Sequence, residues 1–191
     1  MPKIIENLET KLMDEARRQI EMVGYTAMTI RSVASACGVG VGTVYNYFRS
    51  KEELLAGYML RDWQQCLEEI HCVSESVGES AEDVTEGIQT AESGIAAEKH
   101  PAAVVTRCIY DQLCRYADSN RALFADPGAA SAFAASFGRY HGLLRSQLAA
   151  PLRRFCHSDF AAEFVAESLL TWTMQGKRFD EIYELIGRLF L

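Results

Sequence analysis

Hydrophobic side chains recur every three or four residues along nearly the whole chain, which is the spacing of one face of an α-helix. From Leu8 this spacing continues to Val23, and Gly24 then supplies a typical helix stop. No stretch alternates steadily between apolar and polar residues as a half-buried strand would, and the 191 residues include only four prolines. The pattern therefore predicts an all-α protein.

Three further helices are predicted before residue 75. One begins at Thr29, a favourable N-cap, and the next spans roughly residues 40–48. A longer helix begins at Ser50, because Ser50 and Glu53 match the capping box S-x-x-E. We expect the small, polar residues 74–81 to form a loop or a break.

Later helices are separated by prolines and glycines. They are predicted near residues 83–98, 101–119, 128–149, 159–175 and 179–190. With the first four they make about nine helices in total.

The stretch CGVGVGTVYNYF, residues 37–48, raises the question of a phosphate-binding glycine loop. A dinucleotide fingerprint needs G-x-G-x-x-G after a buried strand, but Gly42 is one residue early and an amphipathic helix precedes it. The Walker pattern also fails, since Thr43 and Val44 follow Gly42 in place of Lys and Ser or Thr. Both phosphate-loop interpretations are therefore disfavoured.

A turn between two short helices fits the same residues. Gly38 stands where a helix end needs a positive φ, and Val39 would anchor the turn in the core. Val44 and Phe48, four residues apart, would face inward. The outer face would then carry small and hydrogen-bonding side chains suited to a DNA major groove: Val41, Gly42, Thr43, Tyr45, Asn46 and Tyr47.

Residues from about Leu8 to Leu55 resemble the DNA-binding domain of the TetR family of transcriptional regulators. The match runs through GYTAMTIRSVASACGVGVGTVYNYFRSKEELL, where the positions that agree with that family are Gly24, Thr29, Ile30, Ala34, Gly38, Val39, Gly42, Thr43, Tyr45, Phe48, Lys51 and Leu54. The remaining two thirds of the chain agree only in length and helical character. The resemblance implies a three-helix helix-turn-helix DNA-binding domain at residues 1–50 and a helical effector-binding and dimerisation domain at residues 51–191.

The resemblance also implies roles for individual residues. Four would contact backbone phosphates: Thr29, Tyr45, Tyr47 and Lys51. Arg31 matches a position that reaches a phosphate or a guanine edge. The groove-reading set would be Val41, Gly42, Thr43 and Asn46, since asparagine pairs with adenine and valine suits a thymine methyl.

Alternatives and departures stay open at this stage. Tyr45 could cover the edge of the core, and Arg31 and Arg49 could be ordinary solvated charges. Gly40 and Val41 stand where the family often has polar residues, which leaves the operator sequence open.

Charge supports the division of the chain. Residues 1–61 carry eight Lys and Arg against seven Asp and Glu, a net charge of +1. Residues 62–191 carry eleven against nineteen, a net charge of −8. We therefore expect the first third of the chain to contact a polyanion.

Cysteine spacing, histidine spacing and hydropathy argue against a disulfide-rich, metal-binding, membrane-spanning or secreted protein. The six cysteines contain no C-x-x-C pair and indicate free thiols, and the four histidines form no metal-spaced motif. No apolar run approaches the roughly 18 to 20 residues of a membrane helix, and the N-terminus turns polar too early for a secretory signal. We expect a cytoplasmic protein that is not an enzyme and needs no cofactor.

The resemblance implies that the C-terminal region binds a small-molecule effector. Aromatic and sulfur side chains that would suit a predominantly apolar molecule are Trp63, Tyr110, Cys114, Phe133, Phe137, Tyr140 and His141. At helical spacing, residues of this kind belong to the core more often than to a pocket.

Two apolar stripes near the C-terminus predict a homodimer held by two helices from each chain. Their members are Phe164, Val165, Leu169, Trp172, Ile182, Leu185, Ile186 and Leu189. A two-fold axis at this interface fits the binding of a near-palindromic operator of double-stranded DNA. Both stripes could instead be internal core.

The sequence therefore predicts a ligand-responsive DNA-binding regulator, most simply a repressor released from its operator by a small molecule. One alternative is an adaptor or co-activator of the same family that no longer reads an operator. Another is a helical carrier or enzyme that uses the pocket.

Overall fold

The computed structural model of the chain describes residues 7–82 and 100–187, without the side chains of residues 78–82 and 133–139. Every regular element in these residues is helical, which confirms the all-α prediction. The helices are α1 Leu8–Ala27, α2 Ile30–Ala36, α3 Val41–Tyr45, α4 Lys51–Glu82, α5 Pro101–Ser119, α6 Arg121–Phe124, α7 Pro127–Ala149, α8 Asp159–Met174 and α9 Phe179–Ile186, with a 3-10 turn at Ala150–Leu152.

Most helices begin and end within a few residues of the predicted positions, but two differences stand out. The loop predicted at residues 74–81 is wrong, because α4 continues to Glu82. Ser74 is buried there, and its hydroxyl accepts a hydrogen bond from Arg154 at 2.9 Å, so its polarity does not force the helix to end. The short helix α6 was not predicted. The predicted helix at 83–98 and residues 188–190 lie outside the described residues.

Packing divides the chain into two units, and each unit combines two stretches of sequence. The first unit consists of residues 1–63 and 119–137, and the second consists of residues 64–118 and 138–191. The boundary predicted after residue 50 separates two functions, DNA binding before it and effector binding after it. That division of function stays a prediction. The packing boundary differs because α6 and the start of α7 belong to the first unit.

One hydrophobic core holds the first unit together. It contains inward side chains from α1 to α4, together with Leu123 of α6 and Ala129 of α7. Val23, expected on the inward stripe of α1, is 57% exposed. Gly24, with φ 82° and ψ 161°, breaks the helix at this point, and Tyr25 and Met28 take the buried places instead.

The second unit has a core of its own. Helix α5 contributes Val105, Ile109 and Leu113, and α8 packs against both α9 and the 3-10 turn. Within the described residues, no helix is long and apolar enough to cross a membrane.

Leu123 allows a test of whether α6 belongs to the core of the first unit, because its side chain is buried there. We expect Leu123→Ala to lower the free energy of unfolding by about 2–5 kcal/mol, because it deletes a fully buried side chain. Its neighbour Phe124 is half exposed, so Phe124→Ala should change that free energy by less than about 1 kcal/mol. Urea denaturation followed by circular dichroism measures both, and equal losses would contradict this packing.

Candidate nucleic-acid interface

The turn between α2 and α3 is built on Gly38, whose φ of 67° confirms the predicted left-handed position. The amide of Gly38 donates to the carbonyl of Ser35 at 3.1 Å, and the amide of Val39 donates to the carbonyl of Ala34 at 3.0 Å. These bonds satisfy carbonyls at the end of α2. Val39 is half-buried and packs against the core. The two helices are thus joined as a helix-turn-helix.

Helix α3 presents most of its predicted outer face to solvent. Val44 and Phe48 are buried as expected, and the carbonyl of Val44 accepts from the amide of Phe48 at 2.9 Å. Four of the predicted outer residues are exposed, namely Gly42, Tyr45, Asn46 and Tyr47. The other two, Val41 and Thr43, are half-buried. A Cβ atom added at Gly42 would meet nothing within 4 Å, so another molecule can approach the backbone there.

Thr29 caps α2, and its partner Ser32 ties α2 to α1. Its hydroxyl oxygen accepts from the amide of Ser32 at 3.0 Å, and its own amide donates to the Ser32 hydroxyl at 3.1 Å. This is a capping box in which serine replaces the usual Glu or Gln. Ser32 in turn donates to Gln19 of α1 at 2.6 Å. Thr29 and Arg31 are both exposed on this edge.

The start of α4 follows the predicted capping box only in part. The hydroxyl of Ser50 accepts from the amide of Glu53 at 3.1 Å, as expected. The Glu53 carboxylate, however, accepts from the amide of Arg49 at 2.5 Å. The reciprocal bond is therefore displaced by one residue.

Lys51 points into the protein. Its ammonium donates to the backbone carbonyl of Tyr25 and lies 4.0 Å from the centre of the Tyr25 ring. Removal from water lowers the pKa of Lys51 from its ordinary value. Its phosphate-contacting role stays a prediction, and the geometry shows in addition that Lys51 holds the end of α1.

Tyr25 and Asp126 are two important residues that the sequence analysis missed. Tyr25 is buried, and its hydroxyl donates to the Glu52 carboxylate at 3.0 Å. Asp126, between α6 and α7, accepts from the amide and the hydroxyl of Thr26 at 3.2 and 3.1 Å. No local signal marks either residue, because their partners are 27 and 100 positions away in sequence.

The predicted effector residues are spread over both units. Trp63 is buried in the first unit, and Tyr140 is exposed on α7. Tyr110 and Cys114 share a hydrogen bond on α5, while the Tyr110 hydroxyl donates to the carbonyl of Lys177 at 3.0 Å. His141 lies 3.5 Å from Glu167. The side chains of the remaining two, Phe133 and Phe137, lie outside the described residues.

Among the residues that are described, no group of three or more His, Cys, Asp or Glu could hold a metal ion.

The predicted dimer residues fall into two groups. Three are exposed on the second unit: Phe164, Trp172 and Leu185. Four are buried within the chain's own core: Val165, Leu169, Ile182 and Ile186. The buried four belong to the internal side of the same two helices, so they present almost no surface to a second chain. Leu189 lies outside the described residues.

The buried hydroxyl of Tyr25 gives a pH prediction. Burial and then the Glu52 carboxylate raise the pKa of Tyr25 to about 12 from 10.0. The folded state therefore holds this proton more tightly, and the resulting stability is full below pH 10 and is lost as the pH rises to about 12.

We expect the difference in unfolding free energy between the natural protein and Tyr25→Phe to shrink over that alkaline window. Urea unfolding at several pH values measures it. Tyr140→Phe, at an exposed site, is the control and should show a small, constant difference. A constant difference for Tyr25→Phe would contradict the assignment.

Comparisons with known proteins agree with this geometry. Residues 12–58 match the family described as "Bacterial regulatory proteins, tetR family". The chain is also 28% identical over 58 residues to the HTH-type transcriptional regulator UidR of Escherichia coli K12; the match covers 30% of this chain and 30% of that relative's length.

Two solved structures share the fold along most of the chain. The TetR family repressor AlkX from Dietzia sp. strain DQ12-45-1b gives a TM-score of 0.56 at 16% identity, covering 95% of this chain and 98% of that one. A TetR/AcrR-family transcriptional regulator from Thermobifida fusca YX-ER1 gives a TM-score of 0.50 at 18% identity, covering 95% of each chain.

Proposed function

We propose, from the premise that this chain belongs to the TetR family of transcriptional regulators, that it is a ligand-responsive repressor. It binds a near-palindromic DNA operator as a homodimer, and a small molecule releases it. The observation that carries the proposal is the outer face of α3. Small and hydrogen-bonding side chains are exposed there, while Val44 and Phe48 pack into the core on the opposite side.

The exposed groups of this face match the chemistry of a DNA duplex. Asn46 offers an amide that pairs with adenine through two hydrogen bonds, and Gly42 lets the helix approach the groove floor. The hydroxyls of Tyr45 and Tyr47 are free to reach phosphates on either side. Arg31 supplies an exposed cation at the adjacent edge of α2.

A gel shift on the DNA flanking the protein's own gene tests the function directly. A repressor should bind one segment with nanomolar affinity in the presence of excess unrelated DNA. An adaptor that no longer reads an operator, or a carrier, would show no such preference. The absence of any preferred segment would therefore contradict the proposal.

Substitutions at individual DNA contacts should have one of two effects, a loss of sequence specificity or a weaker salt dependence. Asn46→Ala should relax specificity at one or two base pairs and leave the salt dependence unchanged, because the amide contacts a base. Arg31→Gln should weaken binding to all sequences and lower the salt slope by about one, because it removes a phosphate contact. Titrations at several salt concentrations on matched and mutated operators measure both.

Arg178→Gln, a change of the same kind at an exposed site on the second unit, serves as the control. An unchanged salt slope in Arg31→Gln would show that Arg31 is only a solvated charge.

The proposed dimer uses the exposed part of the two predicted stripes, together with Phe160, which precedes Phe164 by one helical turn on α8. Phe160 and Phe164 are 78% and 50% exposed on one side of α8, and Leu185 is 64% exposed on α9. Large apolar side chains grouped this way on a soluble unit indicate an interface. The interface then consists of helices α8 and α9 from each chain, with their buried faces left to the internal core.

We expect Phe164→Glu to dissociate the dimer, because a charge at the interface would be desolvated without a partner. Operator affinity should fall by at least about tenfold, since the two heads are no longer linked. Sedimentation velocity and gel shifts measure these two effects.

Val104→Glu, at a partly exposed position on α5, is the matched control and should remain dimeric. The buried Leu169 is unsuitable for this test because its substitution by glutamate would disrupt the unit's own core. A dimer that persists in Phe164→Glu would contradict this interface.

The effector of the proposed repressor is a predominantly apolar molecule bound by the second unit. Tyr110, whose ring centre lies 5.5 Å from that of Phe179 in an edge-to-face arrangement, offers aromatic surface together with a polar tip. The net charge of −8 in residues 62–191 favours neutral or cationic effectors. Such a molecule can release DNA only if it binds one arrangement of the protein better than the other. Screening for both thermal stabilisation and operator release tests this step.

A further inference from the structure

The peptide bond between Tyr25 and Thr26 is held by opposite charges at its two ends. Its carbonyl oxygen accepts from the Lys51 ammonium at the start of α4. Its N–H donates to Oδ2 of Asp126, at the corner between α6 and α7, over 3.2 Å. A cation on the carbonyl and an anion on the N–H both favour the same orientation of the peptide dipole. We call these three parts, Lys51, the peptide and Asp126, the peptide clamp.

Asp126 is fixed in place by its other oxygen. Oδ1 accepts from the amides of Gly128 and Ala129 at 2.8 and 3.3 Å and from the Thr26 hydroxyl at 3.1 Å. Partial removal from water acts to raise the pKa of Asp126, but the N–H donors outweigh it and the net pKa lies below its ordinary value. The carboxylate therefore stays charged at neutral pH and caps the start of α7.

Two glycines leave room for this arrangement. A Cβ atom at Gly24 would lie 3.2 Å from Oδ2 of Asp126, at a residue whose φ of 82° already disfavours a side chain. A Cβ atom at Gly128 would lie 2.6 Å from the Thr26 hydroxyl. The close approach of the two corners thus depends on the absence of side chains at both positions.

The clamped peptide stands directly before the DNA-reading helices. Met28, two residues on, is fully buried, and Thr29 caps α2. The orientation of the peptide after the break at Gly24 therefore sets the direction in which the chain enters α2 and, through the turn at Gly38, the direction of α3.

We propose that Asp126 is a positioning residue for DNA binding, which acts by clamping the Tyr25–Thr26 peptide against Lys51. The proposal rests on the proposed function, and it places a determinant of DNA affinity at the α6–α7 corner, outside the residues 12–58 that match the family. Asp126 itself touches no DNA. It raises the fraction of molecules whose α2 and α3 are oriented to bind, and apparent affinity scales with that fraction.

Asp126→Asn isolates this role with little other change. It replaces Oδ2 by an NH₂ group, which cannot accept from the Thr26 amide, while Oδ1 keeps its three bonds and still caps α7. The matched control is Asp111→Asn on α5, outside the proposed dimer interface, where the carboxylate forms an exposed pair with Arg107 at 3.3 Å.

The first measurement does not depend on DNA. In ¹⁵N–¹H NMR spectra, Asp126→Asn should speed hydrogen exchange of the Thr26 amide about tenfold or more and shift the amides of α2 and α3. The helical circular dichroism signal should remain unchanged. Unchanged exchange and unchanged shifts would overturn the proposal, whether or not the protein binds DNA.

The second measurement is operator affinity at a temperature where all variants are fully folded. We expect a loss of about tenfold for Asp126→Asn with the salt slope unchanged, since no phosphate contact is removed. Asp111→Asn should bind as the natural protein does. Equal affinity of Asp126→Asn and the control would overturn the proposal, whereas failure of the natural protein to bind any operator would overturn the proposed function and leave the NMR test standing.

Should Asp126→Asn fail to fold, Lys51→Met removes the charge at the other end of the same peptide. It should speed exchange of the same Thr26 amide, because the clamp requires both ends. A Thr26 amide unaffected by Lys51→Met would also overturn the proposal.

Discussion

The break at Gly24 is the constraint on which the first unit depends. With φ at 82° the backbone leaves the α1 direction, and after this break Tyr25 and Met28 enter the core. The residues after the break have lost the regular hydrogen bonds of a helix interior, so their peptide groups need other partners. Lys51 and Asp126 supply partners for the Tyr25–Thr26 peptide, one from the start of α4 and the other from the corner between α6 and α7. The unit is thus organised around one interruption.

Local chemistry could be predicted from the sequence wherever a residue and its partner lie a few positions apart. The positive φ of Gly38 and the capping role of Thr29 follow from steric and hydrogen-bonding rules that act within one turn of chain. The outer face of α3 follows from the same periodicity, since Val44 and Phe48 fix the inward side.

Interactions between distant residues could not be predicted in this way. Lys51 carries the same charge whether it faces a phosphate or the carbonyl of Tyr25, and only the packing of α4 on α1 decides between them. Asp126 reads as a loop residue in a D-P-G turn, and its bond to Thr26 spans 100 positions. Likewise a stripe of apolar residues tells which side of a helix avoids water. It does not tell whether the same chain or a second copy covers it, which is why Leu169 and Phe164 were grouped together although only Phe164 is exposed.

The charges of the first unit explain why such a head would need a second copy. Arg17, Arg18 and Arg61 pair with carboxylates of the same unit, at 3.0, 2.6 and 2.7 Å, so their charges are partly compensated before DNA arrives. A net charge of +1 in residues 1–61 then allows only a few phosphate contacts per head, and each contributes only a modest share of the affinity. In the proposed dimer, joining two heads through α8 and α9 would turn the second binding event into an intramolecular one, which multiplies weak contacts into a useful affinity. The proposed effector would act on the same dependence. A small change in the separation of the heads would remove that intramolecular advantage without breaking any contact within either head.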